Sequence, residues 1–183
     1  IDRPLTAFNL RALKDNAVVL PLVMAEIFFR VTRLFEHPAY RHVPKYLDID
    51  EAHMLLGIPA VSARVVQCIR RWGKYLAGMG LWSQSPLEFA ALPHWGALRS
   101  AASTFVFMAD PAMEESLYKE TFRLTDGECA AIRGLIPKQQ AYIIQRDLGV
   151  SKCVTLEVEA EQYILSTSKP SEWGLRDRNI HEL

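Results

Sequence analysis

The sequence has few cysteines and no surplus of charge of either sign. Its three cysteines, Cys68, Cys129 and Cys153, lie far apart without a CxxC pair. This spacing excludes a disulfide framework or a cysteine-based zinc site and is typical of reduced thiols in a cytoplasmic protein. The 21 basic residues balance the 21 acidic ones, which argues against a broad nucleic-acid-binding surface. The most apolar run, residues 17–29, is too short to span a bilayer.

The sequence also lacks a phosphate-binding loop. No G-x-x-x-x-G-K-[ST] segment occurs, because the one Gly-Lys pair, Gly73-Lys74, is followed by Tyr75, and Cys68 stands where the first glycine is needed. The backbone amides that such a loop directs at phosphates are therefore missing. Because the sequence begins at Ile1 without a methionine, we expect a fragment or a processed product that carries half of a nucleotide site.

The order of strand and helix patterns predicts an α/β fold. Strands are expected at residues 5–10, 43–49, 78–83 and 104–108, with helices between them, which indicates a mostly parallel sheet with crossover helices over residues 1–122. Residues 123–168 are expected to add a helix and a β-hairpin, whose strands flank Asp147-Leu148-Gly149. Residues 169–183 are expected to form a tail.

Two adjacent carboxylates, Asp50 and Glu51, end the strand 43–49. Ligands of open α/β sheets bind at strand ends. There Asp50 would hold Mg²⁺, directly or through water, and Glu51 would orient and deprotonate an attacking water, as in the Walker B segment of P-loop NTPases. The alternative is structural, with Asp50 capping the next helix and Glu51 in its first turn.

A third polar side chain, Gln84, ends the predicted strand 78–83. Neighbouring strands of a parallel sheet present their carboxyl ends at one edge, so we expect Gln84 to reach the same centre as Glu51. A neutral amide there can hydrogen-bond the attacking water or the γ-phosphate without adding negative charge. Alternatively, Gln84 only satisfies backbone groups of its own loop.

Four segments, in their order and spacing, resemble the C-terminal part of the assembly ATPases of type IV secretion and conjugation, the VirB/TrbE/CagE family. They are FNL at residues 8–10, LDIDE at 47–51, GMGLWSQSP at 78–86, and LTDGE at 124–128 followed by Ile136-Pro137 and the hairpin. The resemblance covers residues 5–168. Two positions depart from the family pattern: Asp48 puts a charge into a normally apolar strand, and Gly73 stands where an arginine is expected before Lys74.

The resemblance implies a RecA-like P-loop ATPase that uses ATP and Mg²⁺ and works as a homo-hexamer. No direct nucleic-acid partner is expected, because the basic and acidic residues balance. It implies a cytoplasmic motor, peripherally associated with the bacterial inner membrane, whose partners are channel components and the coupling ATPase. Such a motor energises assembly of, or substrate transfer through, the channel.

The resemblance also implies residue roles. Asp50 serves Mg²⁺, Glu51 serves the water and Gln84 senses the γ-phosphate, while the phosphate loop lies upstream, outside this chain. An arginine from a neighbouring subunit is usual in such motors, and Arg70 and Arg71 are the candidates.

The missing loop has a structural consequence. In RecA-like sheets the phosphate-loop strand lies between the strand that ends at Gln84 and the next one, here 104–108. Its absence leaves a gap, unless another polypeptide supplies the strand or the sheet closes differently. We expect the 183-residue chain to be inactive as an ATPase by itself.

Two other functions stay open. Residues 50–53 spell the helicase box DEAH, although the Ser-Ala-Thr segment usual in helicases is not matched by WSQS at 82–85. A non-enzymatic interaction module is the other possibility, in which the acids only cap helices. Its contact surface would be made by the tryptophans, Trp72, Trp82, Trp95 and Trp173, which otherwise are expected to pack in the core.

Overall fold

The computed structural model describes residues 5–166 together with Ser171 and Gly174. Its helices are α1 (Val19–Phe35), α2 (Ala52–Leu56), α3 (Pro59–Trp72), α4 (Pro86–Ala90), α5 (Trp95–Ala101), α6 (Glu115–Phe122), α7 (Asp126–Arg133) and α8 (Ala160–Ser166). Its strands are β1 (Lys45–Ile49), β2 (Ala77–Leu81), β3 (Thr104–Met108), β4 (Gln140–Gln145) and β5 (Val150–Thr155). None of the helices among these residues is both long and apolar enough to cross a bilayer.

The strands form two separate sheets. In the first, β1 and β2 run parallel, with Lys45 opposite Ala77 and Ile49 opposite Leu81. In the second, β4 lies between β3 and β5 and pairs antiparallel with both. The mixed α/β class is therefore confirmed.

The chain divides into two compact units. The described residues up to 103 and residues 114–126 form the first unit, and residues 104–113 and the described residues from 127 onward form the second. The predicted domain boundaries after residues 122 and 168 stay a prediction. Most of the predicted tail, 169–183, lies outside the described residues.

The prediction of a mostly parallel sheet is wrong. Strand β3 pairs antiparallel with β4, and Phe107 lies opposite Tyr142. The number of helices between two strands does not fix their direction, since two helices, α2 and α3, also separate the parallel strands β1 and β2. Strand β3 pairs with β4 of the C-terminal hairpin instead of with β2, and this pairing is antiparallel.

The predicted first strand is also wrong. Residues 5–10, all of them described, form no strand. The side chain of Asn9 instead accepts a hydrogen bond from the Arg11 backbone N–H, with Oδ1 and N 3.0 Å apart, where a 3₁₀ turn begins. Asparagine bonds its own neighbourhood in this way and so favours a turn over a strand.

The predicted C-terminal hairpin is confirmed. Strands β4 and β5 pair from Gln140 opposite Thr155 to Gln145 opposite Val150. Gly149 closes the connection at φ +61°, a left-handed conformation that glycine adopts without steric cost. The buried apolar side chains of β4 are those of Ala141, Tyr142 and Ile144.

The core of the first unit forms around α1 and α3. Both helices carry apolar residues at helical spacing, so each buries one face. Trp72 of α3 is only 1% exposed, and its ring centre lies 4.7 Å from that of Phe35 of α1. One face of the parallel sheet packs against this core through Leu47, Ile49, Met79 and Leu81.

The opposite face of the parallel sheet accounts for the charge at Asp48. Strand residues alternate between faces, so Asp48 projects away from the core side that Leu47 and Ile49 occupy. A Cβ on Gly80, its partner across the strands, would collide with the Asp48 carboxylate. Glycine therefore leaves the space in which Asp48 Oδ1 accepts a hydrogen bond from Trp82 Nε1 at 2.8 Å.

We predict that Gly80→Ala lowers the free energy of unfolding by about 1 kcal/mol, since the added methyl group separates Asp48 from the Trp82 indole and removes their hydrogen bond. Urea denaturation followed by tryptophan fluorescence measures this change.

The matched control is Gly96→Ala in α5. No described heavy atom lies within 4 Å of a Cβ at Gly96, and alanine favours a helix over glycine by about 1 kcal/mol, so this variant should be neutral or more stable. A Gly80→Ala protein as stable as the wild type would contradict the packing described for this face.

Candidate functional site

The candidate site lies where the two parallel strands end, and the backbone of one residue shapes it. Trp82, just after β2, donates its N–H to the carbonyl of Ile49 at 3.0 Å and accepts the N–H of Ala52 at its own carbonyl at 2.8 Å. Asp50 and Glu51 lie between these two bonds. We call this arrangement the Trp82 clamp, because its two hydrogen bonds leave only two residues to connect β1 to α2.

Glu51 takes a left-handed backbone conformation within the clamp, with φ +48° and ψ +44°. For a residue with a Cβ this conformation costs about 1–2 kcal/mol. Such strained residues cluster at functional sites. A glutamate held here despite the cost therefore marks the position as a candidate for function.

Glu51 and Gln84 lie together. The Gln84 amide Nε2 donates a hydrogen bond to Glu51 Oε1, so the side chains that end the two neighbouring strands meet at one edge of the sheet. The Glu51 side chain is 33% exposed. One oxygen of this carboxylate is thus held by a neutral donor, and the other, Oε2, lies 3.5 Å from Nδ1 of His53.

Asp50 lies beside this pair with an exposed side chain. Its Oδ1 accepts the backbone N–H of Glu51 at 3.0 Å. Among the described residues, Glu51, the N-cap residue of α2, makes no side-chain cap bond, and the first helical N–H, that of Ala52, bonds Trp82 instead. The acids therefore do not act as the helix caps that the structural alternative requires.

Three further residues, which the sequence reasoning did not assign to the site, complete the cluster. His53 Nδ1 lies 3.2 Å from Ser83 Oγ and 3.2 Å from Glu88 Oε2, and Ser83 also donates to Glu88. The sequence offered a signal, since His53 follows Glu51 by two residues. Glu88 was not assigned to the site because the pattern SPLE at 85–88 is typical of the start of a helix and accounts for a glutamate at this position without any contact to His53.

Arg70 and Arg71 lie away from this cluster. They occupy the last turn of α3, which leads into the start of β2, whereas Glu51 lies beyond the ends of the strands. Arg71 Nη2 pairs with Glu36 Oε2 at 2.7 Å. Their proposed role toward a neighbouring subunit stays a prediction.

The three tryptophans among the described residues do not form one exposed surface. Trp72 is in the core, and Trp95 is partly buried and donates its Nε1–H to the carbonyl of Thr121 at 2.9 Å. Trp82 is 47% exposed. Trp173 lies outside the described residues.

The fold and the site define a class of mixed α/β proteins with a polar cluster at the carboxyl ends of parallel strands. Among solved structures, the chain is similar to VirB4 of Thermoanaerobacter pseudethanolicus, with a TM-score of 0.58, 19% identity and coverage of 91% of this chain. It spans 42% of that VirB4 chain. No protein-family model and no curated protein matches the sequence. At this identity the likeness is one of fold, and it supports a VirB4-like α/β fold.

The left-handed conformation of Glu51 generates a prediction. Glu51→Gly should be more stable than Glu51→Ala by about 1 kcal/mol, because only glycine enters this conformation without a steric cost. Urea denaturation of the two variants gives the difference directly.

Gln67, on the exposed surface of α3, provides the control. There the order should reverse, with Gln67→Ala more stable than Gln67→Gly by about 1 kcal/mol. The same order of alanine and glycine at both positions would show that Glu51 is not constrained by the clamp.

Proposed function

We propose that the chain is part of an ATP-hydrolysing motor that energises assembly of, or substrate transfer through, a bacterial type IV secretion or conjugation channel. The observation that carries the proposal is the contact between Glu51 and Gln84 at the ends of two parallel strands. The VirB4-like fold supports the same class of protein.

In the proposed mechanism Glu51 orients and deprotonates the attacking water. Gln84 holds Oε1, which fixes the plane of the carboxylate and leaves Oε2 to accept the proton. The αL backbone of Glu51 and the Trp82 clamp hold the base in place. Because Gln84 is neutral, it can also contact the γ-phosphate and pass the presence of nucleotide on to Glu51 without repelling phosphate.

The residues at the strand ends can supply a ligand for Mg²⁺, but they do not include the loop that binds the phosphates of ATP. Asp50 offers an exposed carboxylate, the hard oxygen donor that Mg²⁺ prefers, directly or through water. When bound with ATP, Mg²⁺ neutralises charge on the phosphates. The sequence has no phosphate loop, so we place the grip on the triphosphate in another part of the motor.

The remaining features of the motor belong to the same proposal. It would work as a homo-hexamer at the cytoplasmic face of the inner membrane, with channel components and the coupling ATPase as partners. Arg70 and Arg71 lie at the far edge of the sheet from Glu51, so they would act across a subunit interface. Arg71, whose side chain is 56% exposed, would first have to leave the largely buried carboxylate of Glu36.

We predict that the isolated 183-residue chain hydrolyses no ATP above the uncatalysed background, because its sequence has no phosphate loop to direct backbone amides at the phosphates. Phosphate release at saturating Mg²⁺ and ATP measures this. If the isolated chain hydrolyses ATP and Glu51→Gln abolishes that activity, the proposal that the triphosphate is held by another part of the motor is wrong.

In a motor that also contains the phosphate loop, Glu51→Gln should lower the turnover number by at least about 100-fold, the contribution of a general base, while ATP still binds. Glu26→Gln, on the exposed side of α1, is the matched control and should leave turnover unchanged. Equal turnover in the Glu51→Gln and Glu26→Gln variants would exclude Glu51 as the base.

A further inference from the structure

We propose that Glu51, His53 and Glu88 form a binding site for a divalent transition metal ion, with Zn²⁺ as the ion of choice. The three residues come from two elements, the start of α2 and helix α4, and each offers one ligand atom. One ligand atom from each residue lies within 4.8 Å of the other two, and His53 Nδ1 is near both Glu51 Oε2 and Glu88 Oε2.

Two of the three separations between ligand atoms fit a tetrahedral zinc ion. His53 Nδ1 lies 3.5 Å from Glu51 Oε2 and 3.2 Å from Glu88 Oε2. Zinc bonds of about 2.0–2.2 Å in tetrahedral geometry separate neighbouring ligand atoms by roughly 3.3–3.6 Å. The two separations from His53 are therefore close to those of a zinc site, and rotation of the partly exposed glutamate side chains would bring their oxygens to the ion.

The donor chemistry selects the metal. One imidazole nitrogen with two carboxylate oxygens suits Zn²⁺, whereas Mg²⁺ prefers oxygen ligands throughout. Nδ1 of His53 binds a metal in the tautomer that carries the proton on Nε2. The site thus differs in kind from the oxygen donor, Asp50, that we propose for Mg²⁺.

The charge around the cluster is an independent argument for a cation. Glu51 and Glu88 approach the same imidazole, and no lysine or arginine among the described residues forms an ion pair with either carboxylate. Two carboxylates at this distance repel each other. A divalent ion between them removes that repulsion and neutralises the pair.

A neighbouring side chain orients one of the ligands. Gln84 holds the second oxygen of Glu51, which is the supporting role that outer partners play around bound metals. Ser83 Oγ donates to Glu88 Oε2 and lies 3.2 Å from His53 Nδ1, so its hydroxyl would rotate away when an ion binds. The three ligand side chains remain between 24% and 34% exposed. The ion therefore has a path from solvent, and water can take the fourth position.

Binding of Zn²⁺ has a consequence for the motor. A carboxylate that ligates zinc cannot accept a proton from water, so Zn²⁺ would inhibit hydrolysis. This consequence rests on the proposed function, whereas the binding itself does not.

The test is a calorimetric titration of the 183-residue chain with Zn²⁺ alone, in a Cys153→Ser background because Cys153 is an exposed thiol. One ion should bind per chain. His53→Ala should weaken the affinity by more than the roughly 10- to 100-fold that outer-partner substitutions cost. His94→Ala, at an exposed position before α5, should bind as the parent does.

Glu88→Gln is the second variant, and far-UV circular dichroism checks that each protein folds. Glu88→Gln should also weaken Zn²⁺ binding at least tenfold, and Mg²⁺ in large excess should not displace the zinc. The proposal fails if the parent chain binds no Zn²⁺, or if folded His53→Ala and Glu88→Gln proteins bind it as tightly as His94→Ala. These binding results do not depend on any ATPase activity.

Discussion

Two backbone hydrogen bonds from Trp82 determine the geometry of the candidate site. They join the end of β1 to the start of α2 across a single residue of the neighbouring chain segment. The excursion between them has room for only Asp50 and Glu51, and Glu51 enters the left-handed region. The next residues after Trp82 are Ser83 and Gln84, so the same two bonds that place the acids also place their partners. The cluster is therefore a consequence of strand pairing rather than of side-chain attraction.

The two faces of the parallel sheet have different roles: one packs in the core, and the other supports the candidate site. The inner face contributes apolar side chains to the core around Trp72, and burial of this kind supplies most of the stability of a small unit. The outer face carries Asp48, Gly80 and the indole of Trp82, joined by a hydrogen bond at 2.8 Å. This bond fixes the side chain of the residue whose backbone forms the clamp. The charge that departs from the apolar strand pattern thus supports the site from outside the core.

Local patterns predicted the parts of the fold that local interactions determine. The strand before Asp50 and the hairpin around Gly149 each carry their own signal in neighbouring residues. The meeting of Glu51 with Gln84 followed from one general rule, that parallel strands share an edge. The direction of β3 and the place of Glu88 depend on residues tens of positions away, which no local pattern contains. The failed strand at 5–10 shows the same limit, because Asn9 prefers a turn that only its own side chain stabilises.

The proposed division of an ATP site between this chain and another part of a motor has a physical basis. A water-activating carboxylate needs a fixed position and a neutral neighbour, and the Trp82 clamp and Gln84 provide both within the described residues. Gripping a triphosphate needs a row of backbone amides and positive charge, which is a separate structural task. When the two tasks lie on separate parts, hydrolysis requires that the parts come together. In such a motor ATP hydrolysis would depend on assembly, because Glu51 could activate water only when the other part holds a triphosphate next to it.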